Sequence, residues 1–479
     1  MKSLCIVALV PLILANAAPA DTVSEAELRG PISVLASDAF EGRAPGTPGG
    51  DKAVSYIEDQ FRLAGLAPGA GKGSWRQPIA LVDRTPLTAG YSFTLGGTPI
   101  PVEPEEFVLR GAAERTEIDH APLLFLGAGS NARSLDPRGA VAMVLQEAPD
   151  GSDYRVRRDA LLRRGARAVI AITAADFDFD ALAKAMRATT TMLATSDAAG
   201  PEGMMTLEGA SGLAFAAGKD ISALIQDAAQ PGYAGAALGI DADLHMGTAV
   251  HAYESPNVIG EVAGSDPKAG AILLTAHWDH LGLCRPEDAP DRICNGAVDN
   301  ASGVSLLIAV ARRIAQGPRP RRSVYFIATT SEEKGLLGAY GFVADPVVPL
   351  SQIRAVLNVD TVAVAPRGAK IAVVGRSKAL APFIARAARI VGRAIDRDDE
   401  ADVMLQRQDG WAFSRENIPA AMIGGTFSDM ALAQKYLRGP YHGPDDALTD
   451  RTELGGAAED ATLHVVLTRM LANAKDLGA

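Results

Sequence analysis

Residues 271–280 read AILLTAHWDH, residues 295–303 read NGAVDNASG, and residues 323–335 read SVYFIATTSEEKG. The first and third are short apolar runs that stop at imidazole or carboxylate side chains, and the second leads into a long apolar segment. Apolar runs of this length bounded by polar turns read as buried strands, and 301–315 reads as a helix. Further strands are expected at 355–359, 371–374 and 419–423, with helices at 379–391 and 458–474. This alternation predicts an α/β fold: a mainly parallel central sheet with helices on both faces. His277, Asp299, Glu332, Glu333 and Asp360 all fall just after a predicted strand or in the loop that follows it. Ligands of open α/β sheets bind at the carboxyl ends of the strands, so these side chains are placed to converge.

At 479 residues the chain exceeds one ordinary domain. Two amphipathic helices, 25–38 and 52–66, flank the loop DAFEGRAPGTPGG, and 74–107 is turn-rich and reads as short strands. A second unit is expected at 110–246, with strands at 123–126, 140–145 and 168–172 and a crossover helix at 154–164. The expected division is a signal peptide at 1–20, the N-terminal part of the catalytic domain at 21–109, an inserted α/β domain at 110–246 and the main catalytic part at 247–479. Lys2, the apolar run 4–14 and the small residues of ANAAPA make the signal peptide. They predict an exported protein, periplasmic or extracellular, with no stable membrane insertion after cleavage. Nothing in the pattern specifies an oligomeric state.

Hydrophobic residues make up 48% and charged residues 22%, as in globular proteins with a real core. A net charge of −11 argues against nucleic acid or an anionic membrane as the main partner. With Cys5 in the signal, Cys284 and Cys294 remain, flanking the loop RPEDAPDRI. In an oxidising compartment they are expected to form a disulfide that pins this loop beside the site.

His277 is a candidate metal ligand. Asp279, two residues on in an extended segment, points the same way and is expected to accept the second ring N–H. His280 has no partner suggested by spacing and reads as structural. Asp299 precedes a helix that Asn300 or Ser302 would cap, and a carboxylate there is suited to bridging two metal ions. Adjacent side chains diverge, so Glu332 and Glu333 should differ in role, one ligating metal and one acting as general base. Asp360, at the end of AVLNVD, and His442, in YHGPDD, complete a two-metal hydrolytic set. Mixed imidazole and carboxylate ligands suit zinc best, with cobalt or manganese as substitutes.

The ordered set HWDH, GAVDNASG, TSEEKG, NVD and YHGPDD resembles the co-catalytic di-zinc aminopeptidases, metallopeptidase family twenty-eight. LASDAFEGRAPGTPGG is similar to the N-terminal region of secreted bacterial members, and the middle unit resembles the protease-associated domain often inserted in this family. The resemblance implies two zinc ions, one held by His277 and Asp360, the other by Glu333 and His442, with Asp299 bridging. It assigns Glu332 as general base, Asp279 as the group that orients His277, and peptides with a free N-terminus as substrates. One departure concerns substrate preference: the family's Ser-Asp-His is here Gln408-Asp409-Gly410.

Two other readings share the fold: a carboxypeptidase, for which Arg407 and Arg415 are candidate carboxylate anchors, and a glutaminyl cyclase. A non-catalytic receptor-like protein is disfavoured because every ligand of the set is present.

Overall fold

The structure is a computed structural model that describes residues 21–129, 135–196 and 200–477. The expected signal peptide at 1–20 lies outside the described residues. The chain forms two units, one from the chain up to Ile79 together with the chain from Glu254, the other Ala80–Tyr253.

The first unit is built on a sheet whose spatial order is Ala372–Val374, Ala420–Gly424, Ile353–Asn358, Ala271–His277, Ser323–Thr329 and residues 258–262 of the strand Ala236–Val262. The four strands in the middle pair in parallel, and the strands flanking them pair antiparallel. Every residue of Ala271–His277 is buried. Ile272, Leu274 and Ala276 enter one core with the helices Glu25–Leu35, Pro48–Ala64, Gly303–Ala315 and Gly455–Asn473. Ala271 and Leu273 face a second core that holds Phe342 and Phe413. Successive side chains of a strand point to opposite faces, so a sheet covered on both sides calls for this largely apolar segment, whose buried Thr275 donates its hydroxyl to Asn358 Oδ1 at 2.7 Å. The α/β expectation holds.

Local chemistry sets the helix ends. Thr47 Oγ1 accepts the Gly50 N–H at 3.2 Å and Pro48 fills the first turn, so the helix begins ahead of the expected residue 52. Asn300 Oδ1 accepts the Gly303 N–H at 2.9 Å, which starts the next helix at Gly303 and leaves Asp299 in the loop before it. The helix Leu337–Ala344, with sequence LGAYGFVA, is apolar nearly all round and carries no helical periodicity to announce it.

In the second unit, residues 236–247 pair antiparallel with Arg115–Gly127, followed in parallel by Val141–Leu145, Ala168–Ile172 and Glu202–Met205. The expected crossover helix is Tyr154–Arg163. Phe107–Arg110 pairs with Glu202–Met205, and the long strand Arg76–Leu95 pairs through residues 81–84 with Thr190–Leu193. These pairings draw 80–109 into this unit, so its limits are Ala80 and Tyr253 and not 110 and 246. They join segments far apart in sequence and leave no shift in composition at the boundary. Buried Glu202 accepts hydrogen bonds from Arg110 Nε at 2.8 Å and Arg158 Nη1 at 2.7 Å. Burial pushes its carboxyl up, but the two guanidiniums outweigh that and hold it below its ordinary value.

Candidate metal and catalytic centre

The register of the parallel strands brings their carboxyl ends to one edge. His277 lies opposite Thr329, and Thr275 opposite Asn358. The turns that follow therefore present His277, Glu332, Glu333 and Asp360 together. Asp299 reaches them from the loop before Gly303–Ala315, and His442 from the loop after the helix Met430–Leu437.

His277 Nε2 stands 3.2 Å from Asp299 Oδ1, 3.4 Å from Asp360 Oδ1 and 4.0 Å from Glu332 Oε2. His442 Nε2 stands 3.2 Å from Asp299 Oδ2 and 2.9 Å from Glu333 Oε2. The two oxygens of Asp299 thus face different imidazoles. Both Nε2 atoms are buried and form no hydrogen bond among the described residues. Nitrogen lone pairs and carboxylate oxygens turned toward shared points, but not toward each other's protons, fit divalent cations. Donor atoms of His277, Glu332 and Asp360, and of His277, Asp299 and Glu333, lie within 4.8 Å of one another.

The adjacent glutamates are electrostatically distinct. Burial pushes Glu332 well above its ordinary value, with Asp360, Asp409 and Glu333 adding to the shift. Burial also acts on Glu333, but His280 and His442 hold it below its ordinary value. Burial pulls both histidines down, yet the carboxylates override it: His277 is held well above its ordinary value and His442 is pushed up to about 9. One glutamate is suited to carrying a proton and the other to staying charged.

Residues 257–465 match the sequence model of peptidase family M28. The match lies within the first unit and covers less than half of the chain. The vacuolar membrane protease of Candida dubliniensis is 38% identical over 94 residues, 20% of this chain and 9% of that protein. Its counterpart from Candida glabrata is 33% identical over 94 residues, again 20% and 9%. The chain thus spans about a tenth of the length of these curated relatives. The solved aminopeptidase from Aneurinibacillus sp. strain AM-1 matches over 96% of each chain with a TM-score of 0.55 and 19% identity, a likeness of fold.

These relatives correct the expected location. They are named for a vacuolar membrane, which overturns the expectation of a periplasmic or extracellular destination. Among the described residues, no helix is long and apolar enough to cross a membrane.

Asp279 departs from its expected contact. His277 Nδ1 faces the Asp279 backbone carbonyl at 3.1 Å, while the nearer carboxylate oxygen is 3.8 Å away. That oxygen, Oδ1, instead accepts the Glu332 N–H at 3.0 Å, so the carboxylate fixes the turn that carries both glutamates. Burial pushes Asp279 up to about 7.

Several groups that support the candidate site are not evident from motif spacing. Arg43, from the EGR loop, is 1% exposed and bonds only backbone carbonyls: Nε to Trp278 at 2.9 Å, Nη1 to Leu35 and Asn295 at 2.6 Å each, and Nη2 to Gly296 at 2.9 Å. It ties the His277 turn to the Asp299 loop. Gly42, at φ +68°, permits this approach, since a Cβ there would lie 2.4 Å from the Cys294 carbonyl. Asp446 accepts the N–H groups of Val298 and Asp299 at 2.9 and 3.0 Å, which ties the His442 loop to the Asp299 loop. The Asp beside His442 in YHGPDD was the available signal, though nothing marked its target.

Cys284 and Cys294 form a disulfide, and Cys294 Sγ lies 3.4 Å from the His442 carbonyl, so the bridged loop does sit beside the site. At the departure from the family pattern, the Gly410 N–H donates to Gln408 Oε1 at 2.8 Å, and Asp409 accepts a hydrogen bond from Thr329. A small recess beside Asp360 is lined by Val362, Ala372, Val374, Met422 and Phe427.

Proposed function

We propose that this protein is a zinc-dependent M28 aminopeptidase that holds two ions, one by His277 and Asp360 and one by Glu333 and His442, with Asp299 shared. The observation that carries this reading is the placement of the two Asp299 oxygens, each 3.2 Å from a different imidazole whose Nε2 makes no hydrogen bond among the described residues. Zinc suits a donor set of imidazole and carboxylate, and when bound it polarises a carbonyl and makes water more acidic.

The remaining steps belong to the chain. Glu332, buried and raised in pKa, takes a proton from the attacking water and delivers it to the departing amine. Asp279 holds the Glu332 turn through its backbone N–H. The carboxylates gathered around Asp360 suit a substrate ammonium better than a substrate carboxylate. The buried cation nearby, Arg43, is committed to four carbonyls, and Arg407 and Arg415 are exposed, which favours the aminopeptidase over the carboxypeptidase. The 80–253 unit we assign, on resemblance alone, to a protease-associated module.

The test compares peptides with free and acetylated N-termini, with and without chelator. Chelator-sensitive release of the first residue from free peptides alone is expected. Equal cleavage of both peptides would refute the aminopeptidase, and cleavage in excess chelator would refute the metal.

A further inference from the structure

His280 is the last residue of HWDH, and spacing gave it no partner. Its ring is fully buried, with Nδ1 2.6 Å from Glu333 Oε1 and 3.8 Å from Asp299 Oδ2. The ring meets His442 edge to face, with centroids 5.7 Å apart. Among the described residues, Nε2 is buried without a hydrogen-bond partner. Gly296, at φ +57°, leaves room for the ring, because a Cβ there would lie 2.6 Å from His280 Cδ2.

An N–H at Nε2 would be left unsatisfied in this setting, so the imidazole carries its proton on Nδ1. That N–H donates to Glu333 Oε1. The other oxygen, Oε2, is the one 2.9 Å from His442 Nε2. We propose that His280 is a positioning residue that engages one oxygen of Glu333 and thereby commits the other, with His442, to the second metal ion. A carboxylate free to turn would offer both oxygens to one ion and fill a coordination position that substrate needs. His280 prevents this by holding Oε1. The inference rests on the two-ion reading above.

Three variants separate the hydrogen bond from the volume of the ring. Asparagine carries a donor near the position of Nδ1, glutamine carries one near Nε2, and phenylalanine keeps the bulk and has none. Zinc stoichiometry and stepwise dissociation constants are measured by competition with a chromophoric chelator, alongside kcat and KM. Groups that orient metal ligands typically change affinity by about 10–100-fold. The expected result is that His280→Phe and His280→Gln weaken the second ion by that factor and leave the first unchanged, while His280→Asn stays within a few-fold of wild type. If folded His280→Phe binds both ions as tightly as wild type, the proposal is overturned. If His280→Phe does not fold, the Asn–Gln pair decides, and equal affinities in those two overturn it. A wild-type protein that binds fewer than two ions would instead defeat the two-ion reading on which it rests.

Discussion

Replacing Arg43 with lysine keeps a positive charge and removes the forked geometry, so it isolates what the guanidinium does. Three nitrogens of Arg43 serve four buried carbonyls, those of Leu35, Trp278, Asn295 and Gly296. A lysine offers one nitrogen at one point. Placed where Nη1 stands, it can reach Leu35 and Asn295, and it leaves Trp278 and Gly296 without a donor. Each buried acceptor left unsatisfied costs about 1–3 kcal/mol, which puts Arg43→Lys at about 2–6 kcal/mol. Against typical total stabilities of about 5–15 kcal/mol, that is a large fraction. The carbonyls released are those beside His277 and three residues before Asp299, so the loss also loosens the two loops that hold the proposed metal ligands. The assay is urea unfolding of the chelator-treated protein, with the midpoint expected to fall and the slope to stay constant, followed by zinc titration. A Lys variant within about 1 kcal/mol of wild type would refute the view that the fork, and not the charge, holds these loops together.

Glu332→Gln should keep its metal content and lose about 10²–10⁴-fold in kcat, because it removes the base and spares the ligands; near wild-type turnover would remove Glu332 from the mechanism. Asp299→Ala should lower zinc content by elemental analysis, since both imidazoles face this carboxylate, and unchanged content would exclude the bridging role. The metal-free protein should lose stability as pH rises: His442, raised to about 9 from an ordinary 6.5, stabilises fully below pH 6.5 and ceases to do so through pH 9, and raised Asp279 and Glu332 act in the same direction. Urea midpoints in chelator should therefore fall between pH 6.5 and 9, while zinc, which needs deprotonated imidazoles, reverses the trend; a midpoint that climbs in chelator would contradict this.

Much of the catalytic unit could be read in the chain because its signals are local. Ala271–His277 is largely apolar, as a strand buried on both faces tends to be, and the ligand candidates stand where such strands end. Asn300 capping Gly303 is equally local, and it explains how Asp299 leads a helix without being its cap. The boundary of the second unit was not readable, because it depends on 81–84 pairing with 190–193.

The sequence by itself determined which residue types stand at the strand ends, and hence a candidate two-metal hydrolytic centre on an α/β sheet. Tertiary structure decided which atom of each side chain faces which. It turned the Asp279 carboxylate away from His277 and onto the Glu332 N–H, set the His280 Nδ1 against Glu333, and threaded Arg43 among carbonyls as far away as Gly296, 253 residues along the chain. Period and spacing report the face on which a side chain lies. Hydrogen bonds depend on tenths of an ångström and on angles set by loops that meet only when the sheet assembles.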